Sequence, residues 1–215
     1  EAGRHVHLIQ SPRFATMMLP THVLAGMLLA APLVRVAPEL ASVGFVAGFV
    51  GGLVPDLDMY TGHRRALHYP VYYAALAVPA TIAALLSPST LTVAAALFLL
   101  GAALHSVADV FGGGLELRPW EGNSDRAVYD HYHGKWVAPK RGVRYDGAVE
   151  DLALSVALST ALLALVGGTL RLVVVGTLVV AVVYTVLRRR LAEVAAVLIS
   201  LLPDAVDPYL PERYQ

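Results

Sequence analysis

Six stretches of this chain contain no charged residue: Val23–Val34, Leu40–Val54, Val71–Leu86, Leu91–Leu104, Leu152–Leu170 and Leu172–Leu187. Surface of that kind has no stable place in water. In a bilayer, where a helical crossing takes about 20 apolar residues, each run becomes a span once its polar flanks reach the interface or the protein interior. Composition agrees, with 57% hydrophobic and 15% charged residues, against about 25% charged in an ordinary soluble domain. The expected fold is all-α, a polytopic helical membrane protein of about six transmembrane helices, within a range of roughly five to seven.

One membrane domain is expected over 18–215, with residues 1–17 as an N-terminal tail or upstream extension. The stretch 113–148 is the one long polar segment and reads as a loop that caps one membrane face. The stretch 191–202 is apolar but short and contains Glu193, which fits an interfacial or re-entrant helix. With six spans, alternate loops share a side, and thirteen of the sixteen Lys and Arg residues then fall together, in the tail, the 56–70 loop, the 113–148 loop and Arg188, Arg189 and Arg190. The positive-inside rule makes that side cytoplasmic, and the cell (inner) membrane is the expected location. A formal net charge of zero gives no field to attract nucleic acid, so lipid is the expected neighbour. There is no cysteine, so any metal must be held by nitrogen and oxygen.

Ionisable residues at the ends of membrane helices are costly and usually have a function or a partner. Here they gather. His105 and Asp109 are four apart at the end of the fourth run, on one helical face. Gly51-Gly52-Leu53-Val54-Pro55-Asp56-Leu57-Asp58 ends the second run with a helix breaker and two carboxylates. His63, Arg64, Arg65 and His68 follow within ten residues, and His22 opens the first span. Each alone has an ordinary reading: a satisfied core histidine, solvated carboxylates, anchoring arginines. Together His22, Asp56, Asp58, His63, His68, His105 and Asp109 all fall on the cytoplasmic side, which favours a metal site. Asp130, His131 and His133 in the polar loop read as solvated or as a cap over it. Asp204 and Asp207 join the same side only if 191–202 does not cross.

The ordered set Thr21-His22-x-x-x-Gly26, Gly52-Leu53-x-Pro55-Asp56-x-Asp58, His63-Arg64-x-x-x-His68 and Gly101-x-x-x-His105-x-x-x-Asp109, followed by Leu117-x-Pro119-Trp120, resembles the YdjM-like family of membrane-bound metal-dependent hydrolases. The resemblance covers about half the chain. This sequence has Leu67-His68-Tyr69 where the family commonly has Thr-His-Ser. The resemblance implies hydrolysis of an ester or phosphoester, on a lipid or lipid-linked substrate or a soluble one. In that reading His22, Asp56, His68, His105 and Asp109 hold one or more divalent ions, zinc foremost, with magnesium or manganese as alternatives. Asp58 and His63 would orient a ligand or act as general base, and Arg64 and Arg65 would meet an anionic substrate. Two other functions compete: a scaffold with a structural metal that recruits a soluble partner through 113–148, and an ion or proton transporter.

The topology has a direct check. A cysteine introduced between 113 and 148 should resist a membrane-impermeant thiol reagent in intact cells and react after permeabilisation; labelling from outside would reverse the orientation.

Overall fold

The computed structural model describes residues 17–140, 142–203, 205–206 and 210. Residues 1–16, and with them nearly all of the expected tail, lie outside the described residues, as do Asp204 and Asp207. Seven helices account for most of the chain: α1 (Leu19–Leu28), α2 (Leu33–Val36), α3 (Pro38–Leu53), α4 (Pro70–Leu86), α5 (Thr90–Ala108), α6 (Val149–Leu163) and α7 (Gly168–Ser200). A two-stranded antiparallel hairpin, β1 (Val128–Asp130) with β2 (Lys135–Val137), sits within the polar stretch. The fold is all-α.

Four helical segments are long and apolar enough to cross a membrane: Leu19–Val36, Pro38–Met59, Thr90–Phe111 and Gly168–Ser200. The six crossings expected from the sequence are therefore not all matched by helix length, and the reasons are local. α4 has 17 residues. The apolar run 152–170 is not one helix, because Gly167 and Gly168 interrupt it, Gly168 at φ +54°, so α6 ends after 15 residues. Leu191–Ser200, expected as a separate interfacial or re-entrant piece, instead continues α7 without a break through Arg188, Arg189 and Arg190. At 33 residues α7 is about 50 Å long, well beyond the roughly 30 Å hydrocarbon core.

α3 packs against α1 and α5, α4 against α5, and α6 against α1 and α7. The core between them is Leu24, Met27, Phe45, Val93, Leu97 and Leu162 with smaller neighbours. Glycine sets the distance. A Cβ on Gly26 or Gly48 would collide with the other's backbone carbonyl. One on Gly52 would stand 2.6 Å from the His22 carbonyl oxygen, and one on Gly101 2.8 Å from that of Gly48. α1, α3 and α5 thus meet backbone to backbone, as small-residue helix contacts in membranes allow.

This contact makes a paired prediction. Gly48→Ala should destabilise the purified protein by about 1–3 kcal/mol through overpacking. Gly176→Ala, on α7 with open space around its missing Cβ, should be neutral or stabilise by up to about 1 kcal/mol from helix propensity. Thermal unfolding in detergent compares the two; equal melting temperatures would refute the close-contact account.

Candidate metal centre

The starts of α1, α4 and α6 and the ends of α3 and α5 meet at one pole of the bundle. Pro55 converts the end of α3 into a tight 3-10 turn over Val54–Tyr60, which carries Asp56 and Asp58 inward. α5 likewise tightens into a 3-10 turn at Asp109–Phe111, one helical turn beyond His105. His68 is placed by the loop just before Pro70, and His22 by the first turn of α1.

Ligand atoms of Asp56, His68, His105 and Asp109 all lie within 4.8 Å of one another. His68 Nε2 is 3.1 Å from Asp109 Oδ2 and 3.7 Å from Asp56 Oδ1. His105 Nε2 is 3.4 Å from Asp56 Oδ1 and 3.5 Å from Asp109 Oδ2. Donors that share one ion at about 2.0–2.2 Å with tetrahedral angles stand about 3.3–3.6 Å apart. The four separations bracket that value.

Tautomers support the same conclusion. His105 Nδ1–H donates to the Gly52 carbonyl (2.6 Å), and His68 Nδ1–H donates to Asp58 Oδ2 (3.0 Å). A carbonyl or carboxylate only accepts, so both rings are protonated on Nδ1 and turn Nε2 to the cluster, the arrangement that metal-bound histidines use; His68 Nε2 also bonds Asp109 Oδ2 (3.1 Å) through a second proton, which a cation would displace. His105 Nε2 is buried and makes no hydrogen bond despite two carboxylates nearby. This buried set of two imidazoles and two carboxylates can hold a metal ion.

The remaining expected residues surround it. Asp58 is fully buried and accepts from His68, from His63 Nδ1–H (3.2 Å) and from the backbone N–H groups of Arg64 and Leu67. Its oxygens are thereby committed to orienting side chains. Arg64, the one described non-glycine residue at positive φ (+61°), is also buried. Its Nε lies 3.5 Å from Asp109 Oδ2, and its terminal nitrogen donates to the carbonyls of Gly113 (2.7 Å) and Ala127 (3.4 Å). Tyr129 N–H donates to the Arg64 carbonyl, so Arg64 ties the 113–148 cap to the centre. Arg65 is exposed and stacks over Tyr129, 4.6 Å from the ring centre. His131 donates to the Arg65 carbonyl and His133 to Asp130, which places both on the hairpin. His22 stacks on His105, ring centres 3.9 Å apart, with Nε2 3.1 Å from Asp109 Oδ1.

Sequence reading passed over Asp151. Fully buried, it accepts hydrogen bonds from the Met18 backbone (2.6 Å), the Thr21 hydroxyl and the Gly147 backbone (3.0 Å), and Ser155 reaches the same hydroxyl (2.8 Å). It anchors the turn that presents His22. The signal was present, since Asp151 is an ionisable residue at the mouth of an apolar run.

A cavity of about 270 Å³ adjoins the centre. Asp56, His63, Arg64, Glu116 and Arg188 form its polar wall, and Met17–Pro20 with Val180 its apolar one. Arg188 is itself paired with Asp146 at 2.8 Å. No family model matches the chain, and no curated protein or solved structure does either.

His68 lies in a loop outside the spans. Burial alone would lower its pKa, but the hydrogen bonds to Asp109 and Asp58 outweigh that and raise it above the ordinary histidine value. A proton therefore competes with a cation for Nε2. Metal affinity should fall as pH drops through that raised pKa and strengthen above it, as isothermal titration across a pH series would show. At fixed pH, His105→Ala and Asp109→Ala should abolish stoichiometric metal, and Asp58→Asn should weaken affinity about 10–100-fold through the lost orientation of His68. Unchanged metal content in the first two variants would remove the centre.

Proposed function

We propose that this chain is a membrane-bound, metal-dependent hydrolase of an ester or phosphoester, working at the cytoplasmic face of the cell (inner) membrane. In this reading α4 and α6 complete six crossings as the two short ones. One observation carries the proposal: Asp56 belongs both to the four-residue cluster and to the cavity wall. A catalytic metal site keeps a position open to substrate, whereas a structural site is closed; this shared wall favours catalysis over a scaffold. The resemblance of the motif order to that of the YdjM-like hydrolases supports the same reaction class.

Asp56, His68, His105 and Asp109 would hold the ion, zinc before magnesium or manganese because imidazoles make half the donor set. When bound, such an ion lowers the pKa of a coordinated water and polarises the ester oxygen. The chain supplies the rest. His63 lines the cavity, and its Nδ1–H points at Asp58, which makes Nε2 the basic nitrogen. That nitrogen takes the proton from the attacking water, and the Asp58 carboxylate stabilises the imidazolium that results. Arg64 and Arg188 stand in the same wall beside Asp56, Glu116 and Asp146, and would meet an anionic ester once a bound cation offsets those carboxylates.

A lipid or lipid-linked substrate suits the cavity best. Its volume is slightly below the roughly 300–1,000 Å³ of ordinary ligand pockets, enough for a headgroup alone. Val180 lines the cavity and is also 57% exposed on the apolar face of α7. The chains of an amphiphile would remain in the bilayer there while the headgroup enters.

His63→Ala should keep full metal content and lower turnover about 10²–10⁴-fold, the usual range for a lost general base. The assay is a phosphoesterase and lipid-hydrolysis screen of metal-loaded protein in detergent or nanodiscs. Metal-loaded wild type with no turnover on any ester class would refute the hydrolase reading and favour the scaffold.

A further inference from the structure

The position of His22 does not fit a single ion. Its Nε2 is buried, makes no hydrogen bond and stands 3.1 Å from Asp109 Oδ1. The cluster described above uses the other oxygen of that carboxylate, Oδ2, which faces both His68 and His105. His22 is not among the four residues whose ligand atoms converge. The two oxygens of Asp109 are therefore presented to different imidazoles.

Ring geometry separates the two directions further. His22 and His105 are stacked with planes 17° apart and centres 3.9 Å apart. Both present Nε2 to the same carboxylate, and both Nε2 atoms lack a hydrogen bond. Nearly parallel rings on one side of a carboxylate hold their in-plane lone pairs side by side, so the two do not meet at one point. Ions bound in the plane of each ring would be separated by about the stacking distance. Two-metal hydrolytic sites have ions about 3.5–4 Å apart, bridged by shared oxygens. A buried imidazole nitrogen beside a carboxylate but not bonded to it is otherwise an uncompensated polar atom.

We propose that His22 Nε2 and Asp109 Oδ1 form a second divalent-cation site, with Asp109 bridging it to the ion held by Asp56, His68 and His105. The inference rests on the metal centre of the preceding reading and extends it from one ion to two. The second ion has fewer protein donors than the first. Water or substrate oxygen completes its shell, so it binds more weakly and leaves first on dilution or chelation. Asp151 is the positioning residue for this site, since it holds Thr21 and the Met18 backbone at the turn that carries His22.

Mn²⁺ tests the proposal on the full chain, purified in detergent. Equilibrium dialysis should give two Mn²⁺ per chain at saturation, filled in two steps of distinct affinity, and the EPR spectrum should show the exchange coupling of a carboxylate-bridged pair. His22→Ala and His22→Gln should each take up one Mn²⁺ and show an uncoupled six-line spectrum, with affinity for that ion changed by less than about threefold. Retention of the first ion shows that these variants are folded. Wild type that saturates at one ion, lost in His105→Ala, overturns the second site and leaves the first intact. Two coupled ions in both His22 variants overturn the assignment to His22. Wild type that takes up no Mn²⁺, with no zinc on analysis, overturns the centre as a whole.

Discussion

Where α1, α3 and α5 cross, peptide backbone touches peptide backbone. Gly26 and Gly48 face each other with no room for a methyl group between them, and Gly52 and Gly101 continue the seam toward the pole. Everything at the candidate metal centre depends on this contact. His22 begins four residues before Gly26, Asp56 follows four after Gly52, and His105 comes four after Gly101. Each ligand is thus about one turn from a glycine, and the close approach carries over to side chains that reach only a few ångströms. Helices spaced by leucine, at the 8–10 Å of ordinary packing, would leave these nitrogens and oxygens too far apart to share an ion. Gly52 contributes a second time, because its uncovered carbonyl takes the His105 Nδ1 proton.

Charge could not be gathered in that place without a supporting layer. Two carboxylates and three imidazoles buried at the mouth of an apolar bundle are expensive unless compensated. Compensation comes from Asp58, which gathers four donors, and from Arg64, whose guanidinium lies against Asp109 while its peptide is held at positive φ. A strained residue persists only where its surroundings over-determine it. Here the ties are to Asp58, Gly113, Ala127 and Tyr129. The polar cap and the centre are joined at several further points, since His131 bonds the Arg65 carbonyl and Lys140 N–H the Val110 carbonyl beside Asp109. Asp151 does the same from the other side, linking the start of α6 to the turn before His22.

The outer helices have a different physical role. α7 presents valines and leucines outward along most of its length, as a helix does against lipid, and contributes few residues to the core. Its contribution to the site is at one end, where Arg188 is held by Asp146 and reaches the Leu117 carbonyl. The cavity lies between this lipid-facing helix and the metal ligands, and this location joins an apolar surface to a polar centre within a few residues.

Much of this was legible from residue order. Charge-free runs require helices in lipid because backbone polar groups there must be satisfied within the segment, and an i, i+4 His/Asp pair shares a helical face whatever surrounds it. Those local rules are sufficient to name His105 with Asp109, and to suspect Asp56, Asp58, His63 and His68. Three things were decided only in three dimensions. Helix lengths were one: the run 152–170 split where Gly168 adopts positive φ, and 191–200 continued α7 without a break. The division of labour between Asp56 and Asp58, two residues apart in sequence, depended on a 3-10 turn that points one toward the ion site and buries the other among donors. And the pairing of His22 with one oxygen of Asp109 while His68 and His105 take the other depended on glycine contacts between helices far apart in sequence, which periodicity along any single helix does not encode.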